Sequence, residues 1–139
     1  MRLIGLDYGT RTCGVAISDE GKIIASPITT IRYIEEDELL NELDKFFSDY
    51  KIEGIVLGNP KNLDGSLSKR SEETLMFKEK LEERYKVNVF MEDERFTSVI
   101  VNNMLIDNNT SRKNRKSVVD KLAASLILQS YLDRSNNGK

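Results

Sequence analysis

Three apolar, β-branched runs cover 2–9, 12–19 and 23–31, joined by short turns of which the second is Asp19-Glu20-Gly21-Lys22. That pattern predicts an antiparallel meander. Leu39, Leu40, Leu43, Phe46, Phe47 and Tyr50 then recur at helical spacing behind an acidic first turn, which predicts a helix over 35–50. A short buried strand is expected over 54–58, ending at Asn59-Pro60, followed by the loop Asn62-Leu63-Asp64-Gly65-Ser66 and a second helix from about 68 to 85. Residues 87–92 read as a fifth strand, and 97–107 as a helix with Val101, Met104 and Leu105 on its inner side. The polar stretch 108–116 interrupts the pattern and reads as a loop. A last helix, 117 to about 134, is apolar nearly all round and is expected to lie between layers. The order βββαβαβαα predicts an α/β protein, a five-stranded mixed sheet flanked by helices, in one domain over 1–134 with a polar tail over 135–139.

A chain of 139 residues is long enough to bury about two thirds of its unfolded surface in one core without staples. Its single cysteine, Cys13, rules out an internal disulfide framework and suits a reducing compartment. No apolar run reaches spanning length, so a cytoplasmic protein without membrane contact is expected. The net charge of −2 argues against a protein that coats nucleic acid through bulk charge. Local patterning adds to this: acid gathers between Glu35 and Asp44, whereas Arg112, Lys113, Arg115 and Lys116 form a basic run able to neutralise phosphates. Histidine is absent from the whole chain. This excludes Ser-His and Cys-His nucleophiles, imidazole-based zinc sites and a histidine general base, leaving carboxylates to carry any catalysis.

Three carboxylates stand where a purely structural role is hard to assign. Asp7 interrupts Leu3-Ile4-Gly5-Leu6-Asp7-Tyr8-Gly9-Thr10, a run that otherwise reads as a buried central strand. Leu3, Gly5, Asp7 and Gly9 share one face of it. A desolvated carboxylate costs several kcal/mol unless it is paired, hydrogen-bonded or metal-bound, in roughly the range known for buried charges. The competing role is a strand-end Asp closing the Gly9-Thr10 turn. The fifth strand ends in Glu92-Asp93-Glu94-Arg95, and strand ends of parallel sheets expose ligand sites. Glu94 is the preferred member, although alternation leaves Asp93 open because the strand is ending there. Asp120 heads a helical stripe with Ala123, Ala124, Ile127 and Tyr131, whose alanines would let the helix approach the sheet. Ser117 to Asp120 equally fits a capping box. Carboxylates converging from separate elements repel one another unless a cation sits among them. Such a set suits Mg²⁺ or Mn²⁺, and two ions of this kind can support in-line phosphodiester hydrolysis without histidine.

Gly5-Leu6-Asp7-Tyr8-Gly9-Thr10-Arg11 with Gly14-Val15-Ala16-Ile17-Ser18-Asp19 forms the first of four blocks. The others are Ile55-Val56-Leu57-Gly58-Asn59-Pro60 with Asn62-Leu63-Asp64-Gly65, Asp93-Glu94-Arg95-Phe96-Thr97, and Val119-Asp120-Lys121-Leu122-Ala123-Ala124. In this order and over nearly the whole chain they resemble the signature blocks of the YqgF family. Its bacterial members are described as Holliday-junction-resolvase-like and as nucleases for the 5′ end of pre-16S ribosomal RNA. The resemblance implies a ribonuclease-H-like fold, a divalent-metal phosphodiesterase using Mg²⁺ or Mn²⁺, and Asp7, Glu94 and Asp120 as catalytic and metal-holding acids. Arg11, Asn62, Arg95, Arg112, Lys113, Arg115 and Lys116 are the expected nucleic-acid contacts. Asn59 and Lys61 stand where the family more often has apolar residues, and Phe96 replaces a common Leu.

Two rival functions compete with a nuclease acting as a monomer or weak homodimer on precursor rRNA or branched DNA. Asp7-x-Gly9-Thr10 also resembles the first phosphate loop of actin- and hexokinase-type enzymes, but those need a second lobe for which this chain is too short. A ribosome-assembly or nucleic-acid-binding module of the same fold would need each acid to be structural, through capping at Asp120 and pairing of Glu94 with Arg95.

Overall fold

The computed structural model describes residues 1–59, 69–93 and 112–137, and side chains over 1–59, 71–92 and 121–136. Within these residues lie β1 (Arg2–Tyr8), β2 (Thr12–Ser18), β3 (Ala25–Arg32), α1 (Glu36–Asp49), β4 (Ile52–Asn59), α2 (Lys69–Tyr85), β5 (Asn88–Asp93) and α3 (Arg112–Asn137). The strands form one sheet in the order β3-β2-β1-β4-β5. β1, β2 and β3 pair antiparallel, while β1, β4 and β5 run parallel. The mixed sheet expected from the sequence is present, with β1 at its centre.

Each face of the sheet has its own helical cover. Ile4, Leu6, Cys13, Val15, Ile17, Ile31, Ile55 and Leu57 join Leu39, Leu40 and Leu43 of α1 and Phe77 and Leu81 of α2 in one core. On the opposite face Leu3, Ala16 and Val56 meet Ala124, Ile127, Leu128 and Leu132 of α3. A central strand covered on both faces must be apolar along its whole length, which is why β1 reads as a continuous run. Asp7 is the one acid in it.

The structure departs from the sequence reading in α3. The helix begins at Arg112, so the basic run is helical and no loop extends to residue 116. Arg and Lys are good helix formers, and neither Gly nor Pro interrupts 111–116. A polar stretch marks a solvent face as readily as a break. The early start also removes the capping box, because Ser117 and Asp120 both lie within the helix. At its other end α3 continues through Asn137, and Asn136 Nδ2 donates to the Lys22 carbonyl at 3.0 Å, so 135–137 belong to the helix rather than to a tail. Nor does α3 lie between layers: Asp133, Arg134 and Ser135 are exposed while Ala123, Ala124, Ile127, Leu128 and Leu132 are buried on the sheet. The helix expected over 97–107 and the loop 62–66 lie outside the described residues.

Candidate metal and nucleic-acid site

Asp7 is half-buried, on the penultimate residue of β1 and on the face covered by α3. Its partner across the antiparallel ladder is Gly14. On the parallel side Leu6 pairs with Leu57, so the same register brings Gly58 beside Asp7. Gly5 and Gly9 flank it along the chain. Asp7 thus rises from a floor of glycines, and no neighbouring strand lifts a side chain next to it on that face. Gly5 and Gly9 are visible in the sequence. Gly14 and Gly58 need the register.

The glycine at position 5 serves close packing rather than openness. A Cβ there would come within 2.7 Å of Leu128 Cβ and 3.0 Å of the Ala124 carbonyl oxygen, so α3 rests directly on β1. The helix runs against the strand direction: Gly5 meets Ala124 and Leu128, while Leu3 shares a cavity of about 260 Å³ with Tyr131, Leu132, Ser135 and Asn136. Asp120 stands on α3 one turn before Ala124, with its side chain outside the described residues. Glu94 follows the last residue of β5 and also lies outside them.

Glu92, which sequence reasoning passed over, is a buried carboxylate on the same face, 5 % exposed. It is the one buried charged residue among the described ones. Arg134 Nη1 donates to Glu92 Oε1 at 2.9 Å, and Arg134 Nη2 lies 2.7 Å from Oε2. The register Gly58↔Glu92 puts it in the row of Asp7, two strands away.

The turn after Asp7 is tightly held. Gly9 N–H donates to the Thr12 carbonyl at 2.8 Å, Tyr33 N–H to the Arg11 carbonyl at 3.0 Å, and the Tyr33 hydroxyl to the Gly9 carbonyl. Tyr8 hydrogen-bonds Tyr33 and stacks on Phe77 with ring centroids 4.0 Å apart. Burial, followed by the nearby charge of Tyr8 and of Cys13, pushes the Tyr33 hydroxyl far above its ordinary pKa. Burial and Glu36 push Tyr8 up as well. Both therefore stay protonated hydrogen-bonding groups. Arg11 is exposed on this turn.

The family described as "RuvX: Holliday junction resolvase" matches residues 1–134. The chain belongs to this family. Among curated RuvX relatives, proteins named "Putative pre-16S rRNA nuclease" from Clostridium kluyveri and Bacillus subtilis are each 46% identical, over 134 and 138 residues. They cover 96% of this chain and 98% of the first relative, and 98% of this chain and 100% of the second. Solved structures share the fold at low identity. The Fowlpox virus resolvase in complex with Holliday junction DNA superposes with a TM-score of 0.58 at 14% identity, covering 96% of this chain and 98% of that one. Thermus thermophilus RuvC gives 0.57 at 12%, covering 98% and 97%. The RuvX fold here is accordingly the ribonuclease-H-like one expected from the sequence. Of the expected nucleic-acid contacts, Arg11 has a described side chain. Asn62 and Arg95 lie outside the described residues, and Arg112, Lys113, Arg115 and Lys116 are placed by backbone alone on the opening turns of α3.

Proposed function

We propose that the protein is a divalent-metal-dependent nuclease whose Asp7, Glu94 and Asp120 hold Mg²⁺ or Mn²⁺, and that it cuts precursor 16S rRNA. Family membership makes it a nuclease, a hydrolase acting on ester bonds. The observation that carries the metal site is Asp7 on its glycine floor, under a helix brought close by Gly5 and Ala124. Helix geometry supports Asp120 as a partner. Two strand residues rise about 6.6 Å from Gly5 to Asp7, and four helical residues rise about 6.0 Å from Asp120 to Ala124. Alternation from Glu92 favours Glu94 over Asp93 as the third acid.

Hard carboxylate oxygens, with no histidine or other cysteine in the chain to compete, suit Mg²⁺ or Mn²⁺. Among the described residues no group of three metal-binding side chains occurs, and the side chains of Glu94 and Asp120 are not among those described. When bound, such ions supply a water activated for attack and stabilise the leaving oxygen. The chain's own part is to orient Asp7 through the turn clamped by Tyr33, and to draw the strand in by charge. The basic run on α3 bears on that second task. Cations at a helix N-terminus oppose the macrodipole, by about 0.3–1 kcal/mol each in the first turn, so a phosphate at that end would relieve a built-in repulsion.

The relatives' names favour the ribosomal precursor, and the family's name offers a four-way DNA junction as the second substrate. No described helix is long and apolar enough to cross a membrane, in keeping with a cytoplasmic nuclease. Pro27 and a register shift in the edge strand β3 discourage strand-to-strand pairing, which favours a monomer or weak homodimer. Metal-dependent cleavage of precursor 16S rRNA and of a four-way junction tests the site residue by residue. Glu94→Gln and Asp120→Asn should each lower kcat at least about a hundredfold, more than the 10–100-fold typical of groups that only support a ligand. Glu92→Gln should stay within about tenfold of wild type, because Arg134 already holds that carboxylate. Strong loss in Glu92→Gln with little loss in Glu94→Gln would reverse the assignment.

A further inference from the structure

The arginines with described side chains fall into two groups. Arg2 lies 4.0 Å from Glu20, Arg84 grips Asp44 and Arg134 grips Glu92. Arg11 and Arg32 hold no carboxylate among the described residues, and both are exposed. These two arginines are neighbours. Thr12 pairs with Arg32 across the β2–β3 ladder, and the next backbone bond runs from Tyr33 N–H to the Arg11 carbonyl. They line an open groove of about 440 Å³ together with Thr12, Tyr33, Ile34 and Glu38.

Alternation along β3 gives the side of the sheet from which the Arg32 side chain leaves the backbone. Cys13 and Ile31 pair and are buried in the core under α1 and α2. The pairs on either side, Gly14↔Thr30 and Thr12↔Arg32, therefore belong to the opposite face, the face of Asp7. Arg32 lies two strand spacings, about 9.6 Å, across from Asp7 and about 6.6 Å further along the strands. It sits at the same end of the sheet as Asp7. The turn beneath it is fixed by the Tyr33 hydroxyl and the Gly9 and Tyr33 amides, so both guanidinium groups are presented from a rigid base.

We infer that Arg11 and Arg32 form a phosphate-binding pair for the nucleic-acid strand on the β3 side of the catalytic centre, across the sheet from β5. Two guanidinium forks on one rigid edge, with no described carboxylate to hold them, match phosphodiester oxygens, which they can grip in bidentate fashion, better than a lone lysine would. Glu38 of α1 lines the same groove, its Oε2 accepting the Ile34 N–H at 3.3 Å, and with Glu42 it lines a second groove that Arg32 also borders, so acid bounds the track on its α1 side. Arg32 extends the contact set beyond residues near the signature blocks. The inference rests on the nuclease reading above.

Fluorescence anisotropy in EDTA tests it, with KCl titrations of two labelled probes, a synthetic four-way DNA junction and an RNA hairpin with a single-stranded 5′ extension. Arg11→Gln and Arg32→Gln should each lower the log–log salt slope by about 0.7–0.9, and the double variant by about twice that. Each single variant's disadvantage should then shrink roughly threefold between 50 and 200 mM salt. Arg32→Lys, which keeps the charge, should keep the wild-type slope and bind more weakly. Lys51→Gln, which removes another exposed cation at the opposite end of the sheet, should match wild type in both. Wild-type slope in Arg32→Gln, while the wild-type protein binds and cleaves, overturns the proposal alone. Absence of salt-dependent binding by the wild-type protein itself overturns the nuclease reading and the proposal with it.

Discussion

At the scale of single residues, glycines shape the surroundings of Asp7 as much as acids do. Asp7 can be picked out of the sequence because a carboxylate inside an apolar strand needs a reason, and the structure puts it on a floor of Gly5, Gly9, Gly14 and Gly58. Each of those glycines looks alike in sequence, yet Gly5 is filled by α3 from above. Gly5→Ala should therefore destabilise the fold by about 1–3 kcal/mol, the usual cost of forcing a methyl into a packed core. The reason is that Leu128 Cβ and the Ala124 carbonyl belong to the helix framework and cannot swing away. Urea denaturation measures this directly, and unchanged stability would mean that α3 is not seated against β1. Glu92 is illegible in the sequence for a different reason. Its burial depends on Arg134, 42 residues away in the chain, and nothing local announces that pairing.

At the scale of elements, α3 is where sequence and structure diverge most. Apolar periodicity locates a helix by its buried face, and the opening turns of α3 are polar, so that signal places the start five residues late. The strands are legible because β1, β2 and β4 are apolar runs bounded by turn residues, and their ends move by only one or two positions. What no pattern supplies is the order β3-β2-β1-β4-β5, which brings Gly14 and Gly58 to either side of Asp7. The helical basic run now carries two opposite expectations. Replacing Arg112, Lys113, Arg115 and Lys116 together with Ala should stabilise the protein at low salt by relieving repulsion with the helix dipole, by about 0.3–1 kcal/mol for each cation in the first turn. The same variant should lower the salt slope of nucleic-acid binding by up to about 2.8–3.6, at roughly 0.7–0.9 for each phosphate that is no longer neutralised. Thermal melts and anisotropy titrations on one preparation read both, and a variant that is less stable and binds with the wild-type slope would make the run purely structural.

At the scale of the whole molecule, one sheet has a core on each face, with α1 and α2 covering one and α3 covering the other, where Asp7 and the proposed chemistry lie. The first core holds three tyrosines whose hydroxyls are raised above their ordinary pKa, chiefly by burial: Tyr8, Tyr33 and Tyr85. In the unfolded chain these groups lose their protons near pH 10. Because the folded state keeps them longer, stability is full below that pH and falls as the pH rises through the folded values. Urea midpoints from pH 8 to 11 should decline above about pH 10, and Tyr33→Phe should show a shallower decline; an equal slope would place the alkaline loss elsewhere. The other face holds the proposed metal-dependent nuclease centre, anchored by Asp7. It is tested most directly by incubating wild type and Asp7→Asn with precursor 16S rRNA, four-way DNA junctions, single strands and RNA–DNA hybrids, in Mg²⁺, in Mn²⁺ and in EDTA. Wild type should cleave at least one substrate with metal and none in EDTA, and a cooperatively folded Asp7→Asn should cleave none; cleavage persisting in EDTA, or Asp7→Asn cutting like wild type, would contradict a metal centre at Asp7.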